Sequence, residues 1–325
     1  MKLFKIEEDK KHFCTNYYLF GKKIYIKKHH WQLYVQYRKY QDAAKMAYKL
    51  LCFCDIKSCK KASGQLRERQ KKMSEILHLF DVFARKNSIT YWIDFGTLLG
   101  AYRHKGFIPW DYDVDICMLR SDLYKNLDLI KDFFEKNAEL SFSDYPHKYN
   151  HYISFECPEK MLGIDIFPLD TVTSSKSSEF ITNKIREARQ VLKSWENNSN
   201  LTVSNYKEVI PDIVNEVINK PVEDKNGEDL LYYSPDYGHP MTNLVLKKED
   251  VFPLVDIEFE SYKFLAPKNY KKILIQCYGD IDDFPPLFLE YEGTNDCRYG
   301  ELEYPSGINN IYSTDINTKT WSSKL

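Results

Sequence analysis

YWIDFGTLLGAYRHKGFIPWDYDVDICML, residues 91–119, reads as strand, turn, short helix, loop and second strand. Tyr91 to Phe95 is rich in aromatic and β-branched residues, which predicts a buried strand. Gly96 and Thr97 break it, and Leu98 to Tyr102 continue as a short helix with Thr97 as its N-cap. Arg103, His104, Lys105 and Gly106 form a basic turn. Pro109 opens a second strand along which Asp111, Asp113 and Asp115 alternate. Side chains on a strand alternate faces, so the three carboxylates project from one side, ~6.5–7 Å apart. Tyr112, Val114 and Ile116 take the opposite face, which suits a core.

Three carboxylates so close raise one another's pKa, and burial adds desolvation. A divalent cation relieves both. Oxygen-only ligands favour Mg²⁺ or Mn²⁺, with water and substrate phosphate completing the shell. The Gly96-Thr97 turn ahead of a helix presents backbone N–H groups that suit phosphate. Arg103, His104 and Lys105 are candidates to neutralise a diphosphate. Arg103, a bidentate fork, is the better phosphate ligand, and an exposed turn is the alternative for His104 and Lys105. A solvated edge strand with surface aspartates is disfavoured, because Ile116-Cys117-Met118-Leu119 continues as an apolar run.

GTLLGAYRHKGFIPWDYDVDI resembles the signature of the LicD family, which includes the fukutin-related proteins. The resemblance implies an α+β, nucleotidyltransferase-like fold akin to the DNA polymerase β superfamily: a mixed sheet flanked by helices. On that pattern Gly96 and Thr97 match the phosphate turn, Asp113 and Asp115 match the metal pair, and a third carboxylate comes from a later strand. Asp111 is an extra acid that recurs in the motif, and Trp110 joins the substrate-binding residues. The family usually reads WDDDIDI. This chain carries Tyr112, at a position expected to point away from the acids. Weaker echoes, GIDIFPLD (163–170) and FLAPKNYKKILIQCYGD (264–280), extend the resemblance over most of residues 65–290.

The chain has 325 residues and a net charge of −1, so bulk electrostatics favour no partner, but its charge is uneven. Residues 1–72 hold 19 Lys and Arg against 6 Asp and Glu; the remainder holds 27 against 41. No apolar run has the form of a signal peptide or approaches a transmembrane helix. The expectation is a cytoplasmic protein, associated with the inner face of the membrane if its N-terminus docks there. Residues 17–28 read as a hairpin with Gly21 at the turn, and 31–54 as a basic amphipathic helix. That helix suits either an anionic membrane or packing on the domain with its lysines solvated. No nucleic-acid recognition motif is present. Cys52, Cys54 and Cys59 have no standard zinc spacing and no evident fourth ligand, so free thiols are favoured over a metal site.

Residues 1–60 are therefore read as a basic appendage, and 61–325 as the catalytic domain with a helical insertion at about 174–220. Residues 65–87 carry the strongest helical pattern, through Met73, Ile76, Leu77, Phe80, Phe83 and Ala84. A helix at 121–136 is capped by Ser121. Strands at 149–157 and 162–167 follow, with Asp165 inside the second. An ionised Asp between Ile164 and Ile166 needs a partner, and beside the first acidic strand it would complete the metal site. The resemblance, which carries an Asp here, favours that over an ordinary amphipathic strand. Asp170, past Pro168, is read as a turn or cap residue. Helices at 177–197 and 204–219 (interrupted at Pro211), a loop at 223–242, strands at 243–247 and 257–265, and a helix at 269–278 complete the reading. The last 35 residues show little periodicity.

Two or three aspartates with Mg²⁺ can bind a nucleotide diphosphate and stabilise charge in phosphoryl transfer. An aspartate near the acceptor, Asp165 above all, can take a hydroxyl proton. The expected activity is metal-dependent transfer of a phospho-alcohol from a CDP-activated donor to a glycan hydroxyl. Phosphocholine, and a lipopolysaccharide, capsular polysaccharide or teichoic acid acceptor, come from the resemblance. The alternatives are a metal-dependent glycosyltransferase and a non-catalytic scaffold in polysaccharide assembly.

Overall fold

The computed structural model describes residues 4–9, 14–19, 22–26, 55–143, 153–157, 160, 162–198, 203–233, 235 and 244–282. Among these, two compact units separate: residues 1–60 with 278–282, and residues 61–277. The first contains an antiparallel sheet of Phe4–Asp9 (β1), Cys14–Leu19 (β2) and Lys22–Ile26 (β3). The helix expected at 31–54, with Cys52 and Cys54, lies outside the described residues, as do the last 35 residues. Cys59 is half-buried. No helix among the described residues is long and apolar enough to cross a membrane.

The second unit is mixed α/β. Gly64–Lys86 (α1) leads to a short strand, Trp92–Ile93 (β4), then to Phe95–His104 (α2), Val114–Leu119 (β5) and Arg120–Asn137 (α3). Ser141–Ser143 (β6), Ile153–Cys157 (β7) and the long Leu162–Ser174 (β8) follow. Beyond two helices come Glu228–Tyr233 (β9) and Val245–Lys247 (β10). The sheet runs β10-β9-β8-β5-β4, with β7 also on β8 and β6 on β7. β5 and β8 are parallel, and the other pairs are antiparallel. β8 is long enough to change partner along its length: its first half pairs with β7 and its second with β9. The sheet curls as a result.

α1 and α3 are amphipathic, and their apolar stripes meet through rings. Phe80 stacks on Phe134 at 5.1 Å, Phe83 on Phe133 at 4.4 Å, and Phe134 meets Phe155 of β7 at 4.5 Å. Burying each such side chain stabilises the fold by ~1.5–3 kcal/mol. Tyr91 donates its hydroxyl to Asp81 Oδ1 at 2.6 Å, which ties the end of α1 to the strand that follows. Ser178–Asn198 (α4) and Val203–Ile213 (α5) pack Ile181, Ile185, Leu192, Ile210 and Val214 against Val172, Leu230 and Tyr232 of the sheet. Pro211 does not interrupt α5. The helix runs on through a π-helical Val214–Asn219 and a last turn, Lys220–Val222. A π turn is one way for a helix to absorb a disrupted hydrogen-bond ladder.

Several sequence expectations are corrected. The acidic strand begins at Val114, not at Pro109, because Ile108–Asp111 closes a turn through Asp111 N–H to Ile108 O at 2.9 Å. Proline favours the second position of such a turn. Tyr112 is therefore exposed and no part of the core. The N-cap of α2 is Asp94, and Gly96 and Thr97 lie inside its first turn. Ser121 caps nothing, since α3 starts at Arg120. Asp170 sits within β8 as the buried partner of Arg120, 3.0 Å from its Nε. Residues 228–233, read as loop, form β9. Residues 257–265 are two strands, Val255–Phe259 (β11) and Tyr262–Ala266 (β12), joined by a tight turn. Lys248–Val251 (α6) and Tyr270–Tyr278 (α7) complete the unit.

Candidate active site

The parallel pairing of β5 and β8 sets Asp115 directly beside Asp165. Both residues therefore share one sheet face, and Asp113 approaches from the segment leading into β5. One carboxylate oxygen from each of Asp113, Asp115 and Asp165 lies within 4.8 Å of the others. All three side chains are half-buried, deep among protein atoms but open to solvent. Behind them Val114, Ile116, Ile164 and Ile166 are buried, so the strands are fixed by their apolar face. Burial pushes the Asp115 carboxyl well up, and the charges of Asp113 and Asp165 add to it. Burial takes Asp165 up to about 8, against a hydrogen bond from Ser154, its neighbour on β7. Asp111, outside this trio, is raised well above the usual carboxylate range by burial and by Asp113, with which it shares a hydrogen bond.

The first turn of α2 is built against these acids. A Cβ on Gly96 would lie 2.8 Å from Asp111 Oδ2 and 3.6 Å from Asp115 Oδ2, so glycine leaves room for the carboxylates. Thr97 is buried, and its Oγ1 accepts from Asp115 N–H at 2.9 Å, fixing the strand to the helix. Asp94 accepts from Phe95 N–H through Oδ1 at 2.8 Å. Its Oδ2 accepts from Tyr233 Oη at 2.6 Å and Cys117 Sγ at 3.1 Å. Phe95 adopts φ 43°, unusual for a bulky residue, and its ring is held by Phe167 and Tyr233 at 4.8 and 5.2 Å. Leu98 N–H bonds to Asp94 O. The amides of Gly96 and Thr97 are then helix-start donors with no intrahelical acceptor, beside the acids.

The basic turn does not join this cluster. Arg103, His104 and Lys105 lie at the far end of α2, about 10–13 Å along its axis from Gly96. Arg103 is buried, and Lys105 faces Glu258 at 3.9 Å. Trp110 sits in the turn before Asp111 and is exposed.

Three supporting residues escaped the sequence reading. Gln70 of α1 donates to Asp111 O at 2.9 Å and steadies the acidic loop. A polar residue three before Met73, on the apolar stripe of α1, was the available signal. Glu260, at the β11–β12 turn, accepts from Arg67 at 2.6 and 2.8 Å, from Lys61 at 2.8 Å and from Phe107 N–H at 3.2 Å. A Cβ on Gly106 would lie 2.4 Å from Glu260 Oε1, so glycine there admits the carboxylate. Asp94 carried a signal too: an Asp directly ahead of a helix is a favoured cap.

Residues 88–196 match the family model described as LicD/FKTN/FKRP, nucleotidyltransferase domain. That span holds the three clustered acids, Asp111 and the whole of α2. Residues 88–196 are thus similar to a LicD-family domain. The chain is 26% identical over 250 residues to the lipopolysaccharide cholinephosphotransferase LicD of Haemophilus influenzae, a match covering 68% of this chain and 92% of that protein. It is 34% identical over 143 residues to an uncharacterised protein of Rickettsia typhi, covering 44% of this chain and 38% of the relative. Human ribitol 5-phosphate transferase FKRP matches at 51% identity over 35 residues, 11% of this chain and 7% of FKRP. The matched span thus contains the acids, while α1 and the β11–β12 turn that brace it come from outside it.

Proposed function

We propose that this protein is a phosphotransferase that moves a phospho-alcohol from a nucleotide-activated donor to a hydroxyl of a glycan. The observation that carries the reading is the register of β5 and β8, which gathers Asp115, Asp165 and Asp113 within 4.8 Å inside a LicD domain. The relatives named above as cholinephosphotransferase and ribitol 5-phosphate transferase support the reaction class. Phosphocholine, drawn from CDP-choline, is the preferred group, because the relative matched over nearly its whole length is named for it. Kinship with the DNA polymerase β superfamily is part of the same proposal. It is supported by paired acids on neighbouring strands behind a helix start.

An all-carboxylate donor set under mutual repulsion fits a hard divalent cation, Mg²⁺ or Mn²⁺. Asp113, Asp115 and Asp165 would hold it, with Asp111 alongside. Such an ion, when bound, neutralises charge on the phosphates. The chain's own groups do the rest. The amides of Gly96 and Thr97 orient phosphate oxygens at the helix start. Asp165, beside Ser154, would take the proton of the acceptor hydroxyl. The acceptor oxygen forms the new P–O bond, and the bond to the nucleoside monophosphate breaks. Trp110, exposed beside the acids, offers a surface for the donor or the acceptor.

A donor screen with Mg²⁺, using CDP-choline, CDP-ribitol, CDP-glycerol and a set of nucleotide sugars, tests the reading. Turnover of a CDP-linked alcohol is expected. Turnover of nucleotide sugars alone would replace the proposal with a glycosyltransferase.

A further inference from the structure

Arg69 of α1 was not among the residues singled out from the sequence, and it lies outside the LicD match. Its neighbour Gln70 bonds to Asp111 O, which sets this turn of α1 against the acidic loop. The Arg69 guanidinium carbon lies 4.5 Å above the ring of Tyr112, the residue that stands where the family usually reads Asp. Partial burial lowers the Arg69 pKa, and the nearby charges of Asp113 and Asp111 offset only part of that cost. Its Nε is buried with no hydrogen-bond partner among the described residues. An unmatched buried N–H is unfavourable, more so on a charged group. A cation held over an aromatic face, near acids but short of full hydrogen bonding, is poised for an incoming anion.

A diphosphate donor needs such a cation. The acids that would bind a metal repel phosphate, and the basic turn at 103–105 is a helix length away. We propose that Arg69 is a phosphate-binding residue of the donor site, its planar fork reaching a diphosphate oxygen while Tyr112 holds the guanidinium in place. The assignment rests on the phosphotransferase reading and adds a ligand supplied by α1. The competing role is purely structural: Arg69 offsets the charge of Asp111 and Asp113 and touches no substrate.

Calorimetric titration of CDP and of inorganic pyrophosphate, each with Mg²⁺, into the full-length protein separates the two roles. Arg69→Gln should weaken both probes by about tenfold or more, and Arg69→Lys, which keeps the charge without the fork, by less. Mn²⁺ affinity, read by electron paramagnetic resonance, should hold or tighten, because a repelling charge is removed. CDP and pyrophosphate affinities within about twofold of wild type in a folded Arg69→Gln protein would overturn the assignment. Loss of pyrophosphate binding on substitution, in a protein that never binds CDP, would keep Arg69 and discard the nucleotide donor. Failure of the wild type to bind either probe would overturn both.

Discussion

Asp115 has surroundings unfavourable to it as an anion. It is half-buried beside Asp113 and Asp165, and desolvation and their charges raise its pKa. Without a cation this arrangement strains the fold, as functional sites often do. Asp115→Asn should therefore raise thermal stability in chelator, by about 1 kcal/mol, while abolishing the stabilisation that Mn²⁺ gives the wild type. A variant that is less stable in chelator and keeps the full Mn²⁺ increment would contradict a metal role. Gly96 makes a complementary case. Its missing Cβ leaves the space that Asp111 Oδ2 takes up, 2.8 Å away. Gly96→Ala should displace that carboxylate and weaken Mn²⁺ and CDP binding by about tenfold, with little change in melting temperature. Unchanged binding would mean that the carboxylate can move aside at no expense to the site.

The β11–β12 turn is the element that braces the loop leading to the acids. Burial pushes the Glu260 carboxyl up, but the hydrogen bonds and charges of Arg67 and Lys61 outweigh it and hold the group at about 2. Since this lies below the ordinary value of 4.5, the unfolded chain takes up the proton first as acid is added. The stabilisation is thus complete above pH 4.5 and fades as pH falls towards 2. Glu260→Gln should lose about 1–3 kcal/mol at pH 7, and its deficit against wild type should shrink between pH 5 and pH 2.5 in urea melts. A deficit that stays constant over that range would remove Glu260 from the brace. The same turn shows where sequence reading stops. Its tip is Glu260-Ser261, with Glu260 at φ 54° and none of the Asn-Gly or Gly-Gly signals of a two-residue hairpin, so residues 257–265 read as one strand. By contrast α1, α7 and the apolar middles of β5 and β8 were legible, because an apolar stripe or a β-branched run marks each one locally. Asp165 was singled out by its own mismatch, a charge between two isoleucines, together with the family resemblance. Arg69, Gln70 and Glu260 were not, because their roles depend on which distant loop their element packs against. Tyr112 was misplaced because Pro109 was read as opening a strand, whereas it begins a turn.

At the scale of the molecule, the curled sheet converts two separate sequence segments into one site: residues 111–115 enter β5, Asp165 enters β8, and their parallel pairing closes the cluster. α1, outside the matched span, holds the acidic loop through Gln70 and carries Arg69 over the ring of Tyr112. A phosphotransferase and a glycosyltransferase can both use clustered acids on a nucleotide donor, but they leave phosphorus in different places. Phosphorus NMR of the products, with the turned-over donor and its glycan acceptor, separates them. The expected spectrum shows a phosphodiester on the glycan and a free nucleoside monophosphate, and Asp165→Asn loses both signals while still binding the donor. A glycan without phosphorus, a free nucleoside diphosphate and a fully active Asp165→Asn variant would contradict phospho-alcohol transfer.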